Sequence, residues 1–157
     1  MDRKDIDGGK STAFAGKDIY EPAYPPVYGG TVDRDSGSKG KTVLIAEDND
    51  SNYLLLYSVM KQHYTVIRAV NGVETVSLHT RLSPDLILMD IKMPVMDGLE
   101  ATALIRKRDR SVPIIAVTAH AFAEELRAAL EAGCDFVLTK PVDIPRLREL
   151  VAELIYG

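Results

Sequence analysis

From residue 42 onward the sequence alternates five short apolar runs with segments of helical period, and a chain with that rhythm folds as repeated strand–helix units around a parallel sheet. The predicted strands are 42–46 (TVLIA), 65–69 (TVIRA), 85–89 (DLILM), 113–118 (PIIAVT) and 135–139 (DFVLT). The first and third are dominated by apolar side chains, as central strands covered on both faces must be. Helices are expected after each strand, over 50–62, 71–81, 98–108, 121–132 and 143–155. In the last, Ile144, Leu147, Leu150, Val151 and Leu154 form one apolar stripe, with Asp143 as N-cap and Pro145 in the first turn. Gly133 stands where the fourth helix needs a residue that tolerates a left-handed backbone.

Residues 1–40 read differently. They hold 7 of the 11 Gly and 3 of the 8 Pro but only six residues of the Val, Ile, Leu, Met and Phe set, too few to bury against one another. This stretch is read as a flexible tail or interdomain linker, and 41–157 as the folded domain. Tyr20, Tyr24 and Tyr28 recur every four residues, but Pro22, Pro25 and Pro26 between them exclude a helix and favour an extended strip. The net charge of −4 gives no electrostatic footing for nucleic acid or an anionic membrane. Apolar stretches such as 86–89 fall far short of the roughly 18 residues of a membrane helix. The start of the chain lacks the apolar core of a secretory signal, and Cys134 has no second cysteine to pair with, so a cytoplasmic location is expected.

In a parallel sheet the carboxyl ends of the strands share one edge, and polar residues just past the apolar runs converge there. Here they are Glu47 and Asp48 after the first strand, Asp90 after the third, Thr118 at the end of the fourth and Lys140 after the fifth. Taken singly, each is an ordinary capping or surface group. Together they put three carboxylates, a hydroxyl and an ammonium in one crevice. Close carboxylates repel by about 4 kcal/mol per pair at an effective dielectric near 20, so the cluster calls for a cation. Oxygen ligands favour Mg²⁺, Mn²⁺ or Ca²⁺, and a set of three acids that leaves room for water and phosphate suits Mg²⁺. Lys140 and Thr118 can contact phosphoryl oxygens, and Asp90 is a candidate nucleophile for an aspartyl phosphate.

Other motifs fail on detail. The run from Asp48 to Asn52 copies the start of a calcium loop, but Tyr53 replaces the required Gly and Val59 the required Glu. Gly8-Gly9-Lys10-Ser11 echoes a phosphate loop without its first glycine or a preceding strand. His63, His79 and His120 have no ligand partners at zinc spacing, and His63 and His79 read as solvated or capping groups. The basic run from Arg106 to Arg110 reads as a solvated helix end.

The motifs VLIAEDN at 43–49, DLILMDIKMPVMDG at 85–98, PIIAVTAHA at 113–121 and AGCDFVLTKP at 132–141 resemble the receiver domains of bacterial two-component response regulators and hybrid histidine kinases. The resemblance implies a flavodoxin-like, doubly wound α/β fold, with five parallel strands in the order 2-1-3-4-5 and five helices. It makes Asp90 the phosphoacceptor, Glu47, Asp48, Asp90 and the Lys92 carbonyl the Mg²⁺ ligands, and Thr118 and Lys140 the phosphate contacts, with a cis Lys140–Pro141 bond. Lys92 and His120 match positions that tune acyl-phosphate hydrolysis. Where the family usually carries an aromatic ring that reports phosphorylation, this chain has Val137 beside Phe136. A switch is therefore expected to rest on Thr118, the loop after it and the fourth helix. Its output face would be made by the fourth helix, fifth strand and fifth helix, including Phe122, Val137, Leu147 and Val151. The implied partner is a histidine kinase or histidine phosphotransfer domain, the linker-like lead-in suggests a hybrid kinase, and dimerisation stays open. Two alternatives remain at this point: a degenerate receiver that only binds partners, and a Mg²⁺-dependent aspartyl-phosphate phosphatase. The latter predicts a second carboxylate where Lys92 stands.

Overall fold

Each of the five apolar runs forms a strand because its alternate side chains have a separate apolar layer to enter on either side. A computed structural model describes residues 10–14, 17–21 and 40–157. In chain order the elements are β1 (Lys10–Phe14), β2 (Lys17–Glu21), β3 (Thr42–Ala46), α1 (Asp50–Met60), β4 (Thr65–Ala69), α2 (Gly72–Leu82), β5 (Leu86–Asp90), α3 (Gly98–Arg106), β6 (Ile114–Thr118), α4 (Ala123–Ala132), β7 (Phe136–Thr139) and α5 (Ile144–Tyr156). Strands β3 to β7 pair in parallel in the spatial order β4-β3-β5-β6-β7, the expected 2-1-3-4-5.

On one face of the sheet Leu44, Ile67, Ile87, Met89 and Ile114 pack with Val76, Leu104, Ile105 and Ala129 of α2, α3 and α4. On the other, Val43, Ile45, Val66, Leu86, Leu88 and Ile115 meet Tyr53, Leu56, Met60, Leu147, Leu150 and Val151 of α1 and α5. Leu147 and Val151 are fully buried in that layer, so they are not part of an output face, whereas Phe122 is 68% exposed. Asp143 caps the last helix as the sequence suggests, three further helix starts are capped in the same way, and α4 has no side-chain cap. Asn49, Asn71, Asp97 and Asp143 each accept the backbone N–H three residues on. Gly133 ends α4 at φ 119°, in the left-handed region.

Three sequence expectations need correction or extension. Inside the stretch read as a tail, β1 and β2 pair antiparallel, with Lys10 opposite Glu21 and Phe14 opposite Lys17. Tyr24 and Tyr28 lie outside the described residues. His79 is buried, and its Nε2 lies 2.9 Å from Asp109 Oδ2, joining the end of α2 to the α3–β6 loop. Burial opposes the charge on Asp109, but hydrogen bonds from His79 and from the Ser111 and Val112 amides outweigh it and hold the carboxyl below its ordinary range. Arg106 is no solvated helix end either. Its guanidinium donates to the Gly133 carbonyl at 2.8 Å, the Asp109 carbonyl at 3.1 Å and Asp135 Oδ2 at 3.0 Å. Arg106→Ala is therefore expected to cost about 2 kcal/mol by leaving carbonyls short of donors, measurable as a lower urea midpoint at unchanged slope. Among the described residues no helix is long and apolar enough to cross a membrane.

Candidate functional site

The carboxyl edge of the sheet carries the site. Glu47 and Asp48 follow β3, Asp90 ends β5, Thr118 ends β6 and Lys140 follows β7, so four neighbouring strands deliver all five predicted groups to one place. A carboxylate oxygen from each of Glu47, Asp48 and Asp90 lies within 4.8 Å of the others. Glu47 and Asp90 are buried and Asp48 is exposed. Lys140 Nζ stands 3.2 Å from Glu47 Oε2 and 3.6 Å from Asp90 Oδ1.

Three carboxylates against one ammonium leave a formal excess of two negative charges, two of the acids being out of water. Asp90 registers the strain, its carboxyl being pushed up to about 7. Burial is the largest cause, and the Glu47 charge and a hydrogen bond shared with the Glu47 carboxyl add to it. Lys140 and the Lys92 N–H pull the other way. An oxygen-only donor set with one solvent-facing carboxylate and an excess of two negative charges suits a hard divalent cation.

Thr118 is buried, and its Oγ1 accepts the His120 N–H at 3.1 Å, while its carbonyl accepts the Lys140 N–H at 2.8 Å. The Lys140–Pro141 peptide is cis. Lys92 and His120 are exposed, on the loops after Asp90 and Thr118, and His120 stacks on Phe122 with ring centroids 6.2 Å apart. Val137 is half-buried and packs on the apolar layer under α2, α3 and α4. A cavity of about 140 Å³ lies between Thr118, Lys92 and the first turns of α4, the segment to which the sequence assigns a switch.

Two further groups support the site: Gly98, which the sequence reading placed only in the motif at 85–98, and Arg68, which it missed. Gly98, at the start of α3, presses so close to β5 that a Cβ there would lie 2.2 Å from the Asp90 carbonyl oxygen. Arg68 in β4 is buried, donates through Nε to the Glu47 carbonyl and through Nη2 to the Asp48 carbonyl, and lies over the ring of Tyr53. The available signal was an arginine inside the otherwise apolar run TVIRA, a charge that must find partners if the strand is covered. Tyr53 is a neutral platform, since burial above all, with Tyr57 adding and Arg68 opposing, pushes its phenol up to about 12.

The chain matches the family described as response regulator receiver domain over residues 43–152. It is 39% identical over 114 residues to the polar-differentiation response regulator DivK of Brucella anthropi, covering 71% of this chain and 93% of that protein. The crystal structure of the receiver domain of sensor histidine kinase PA1611 from Pseudomonas aeruginosa, with magnesium coordinated in its active-site cleft, superposes with a TM-score of 0.71 at 34% identity. That match covers 75% of this chain and 99% of the other. The receiver domain of Ssk1 from Saccharomyces cerevisiae, solved with the histidine phosphotransfer protein Ypd1, gives 0.69 at 34% identity over 73% of this chain and 88% of that one.

Proposed function

The chain belongs to the response regulator receiver family, and on that premise we propose that it accepts a phosphoryl group from a phosphohistidine onto Asp90 in a Mg²⁺-dependent reaction and thereby switches an interaction surface. The observation that carries this reading is the convergence of Glu47, Asp48 and Asp90 within 4.8 Å, with Lys140 Nζ bridging two of them. Glu47, Asp48, Asp90 and the Lys92 carbonyl would hold the Mg²⁺. When bound, the ion neutralises the carboxylates and the negative charge of the phosphoryl group.

The chain's own groups do the rest. An Asp90 carboxylate oxygen attacks phosphorus, forming an O–P bond as the donor's N–P bond breaks, and the imidazole leaves with the electron pair and takes up a proton. Attack needs ionised Asp90, which Lys140 and the Lys92 N–H favour against burial and Glu47. Lys140 Nζ and Thr118 Oγ1 then bind phosphoryl oxygens. Lys92 and His120, on the rim, govern how water reaches the acyl phosphate. The same reaction run with water as acceptor returns Asp90, so the domain catalyses its own resetting.

Recruiting the Thr118 hydroxyl as a donor to the phosphoryl group reorients an oxygen that accepts the His120 N–H, and so couples the site to the β6–α4 loop. The β6–α4 loop and the cavity under α4 give that loop somewhere to move, with no aromatic relay at Val137. The donor is a histidine kinase or histidine phosphotransfer domain in the cytoplasm. Leu55 of α1, 48% exposed and lining a cavity with Glu47, Lys140 and Pro141, offers it an apolar footing. Leu55→Glu is expected to slow transfer from such a protein donor about tenfold, one apolar side chain's contribution, while phosphorylation by acetyl phosphate stays within about twofold. Equal loss with both donors would remove Leu55 from the docking surface.

Intact-mass spectrometry after incubation with Mg²⁺ and acetyl phosphate, then with a phosphohistidine donor, tests the reading. Wild type should gain about 80 Da, labile and Mg²⁺-dependent, and Asp90→Asn should gain nothing. No gain from either donor would reduce the domain to a binding module, and a gain on Asp90→Asn would move the phosphoacceptor elsewhere.

A further inference from the structure

We infer that Arg68 is a positioning residue for the cation site, holding the Glu47-Asp48 turn so that its two carboxylates face Asp90. The inference rests on the Mg²⁺-dependent reading above and deepens it. The turn after β3 is gripped from β4 by two consecutive residues. The Glu47 N–H donates to the Ala69 carbonyl at 3.0 Å, and the Glu47 carbonyl accepts from Arg68 Nε at 3.1 Å. Arg68 Nη2 then reaches the Asp48 carbonyl at 3.3 Å and Asp50 Oδ1 at 2.8 Å. One rigid guanidinium thus ties the carbonyls of both acidic residues to the first turn of α1 without engaging their carboxylates. The Asn49 N–H orients Glu47 further by donating to its Oε1 at 3.1 Å.

The guanidinium is itself fixed. Its side chain is 7% exposed, and its Cζ sits 4.3 Å from the centroid of the Tyr53 ring, so it has little freedom to leave the turn. A lysine could supply the charge but not a planar fork reaching successive carbonyls.

The sign of the effect separates positioning from mere proximity. Arg68 is a positive charge near a site for a cation, so by electrostatics alone its removal tightens Mg²⁺ binding. If it positions the turn, its removal weakens binding, by about tenfold, the loss typical when a group orienting metal ligands is removed. The test is titration of the whole chain with Mg²⁺ alone, followed calorimetrically and by amide shifts, for wild type, Arg68→Met and Arg68→Lys well below their melting temperatures. Weaker binding by both variants, with phosphorylation by acetyl phosphate recovering at high Mg²⁺, is the expected result. Tighter binding by Arg68→Met, or wild-type affinity in Arg68→Lys, overturns the inference. Arg68→Lys keeps the charge and most of the stem, so it decides the matter even if Arg68→Met does not fold. Absence of Mg²⁺ binding in wild type itself would instead strike the functional reading on which the inference stands.

Discussion

Asp90→Asn is expected to melt about ten degrees or more above wild type in metal-free buffer at pH 8, with the difference closing by about pH 4. The cause is the buried acid pair. Asp90 ionises near 7 in the folded domain, against about 4 in an unfolded chain. A folded-state value above the unfolded one means that the native state holds the proton more tightly. The stability this contributes is fully present below the unfolded value and is lost as pH rises through about 7. At pH 8 the folded domain therefore carries an ionised carboxylate that burial and Glu47 both disfavour. The variant should recover up to about 4 kcal/mol, since the affinities differ by about three tenfold steps and each corresponds to about 1.4 kcal/mol. Lys140 stays paired with Glu47 in the variant, so no second charge is stranded. For a domain of this size that is at most roughly 12–16 °C. Mg²⁺ should reverse the ranking, raising the wild-type melting temperature while hardly moving Asp90→Asn. Thermal unfolding between pH 4 and 8, with chelator and with Mg²⁺, checks both halves. A wild type that stays the more stable protein at pH 8 without metal would refute the account of a strained acid pair.

Gly98→Ala should be the most damaging single-methyl change. The added Cβ would sit 2.2 Å from the Asp90 carbonyl oxygen, 3.0 Å from its carbon and 2.9 Å from Met89 Cγ. Met89 could move its thioether stem, but the backbone has no such freedom. Asp90 ends the central strand and pairs with Val117, and the Gly98 N–H is tied to the Ile91 carbonyl at 2.9 Å. Relief must therefore come from displacing α3 or the end of β5. Overpacking against fixed backbone costs about 3 kcal/mol, and a shift of about 1 Å in a nucleophile can lower a rate about a hundredfold. Thermal unfolding and the acetyl-phosphate rate, read together, should both fall. A stable variant with wild-type rate would show that α3 yields freely.

Much of this molecule is legible in the order of its residues. Five apolar runs at even spacing dictate a parallel sheet, because only covered central strands can be apolar on both faces, as β3, β5 and β6 are. The same spacing puts Glu47, Asp48, Asp90, Thr118 and Lys140 at strand ends, so the chemical content of the site follows from topology. The Asp143 cap and the αL glycine at 133 were legible because they depend on neighbouring residues. Relations between residues far apart in sequence had to wait for the folded chain. His79 and Asp109 meet across 30 positions, Arg106 and Asp135 across 29, and Arg68 and Glu47 across 21. Composition marks these as polar or charged but cannot say which will be desolvated together. Leu147 and Val151 entered the core instead of an output face for a similar reason, since the stripe of a helix shows that it is apolar and not what it packs against. The elevated ionisation of Asp90 belongs to the same class. It arises from burial and from the approach of Glu47, both created when separate strand ends come within a few ångströms of each other.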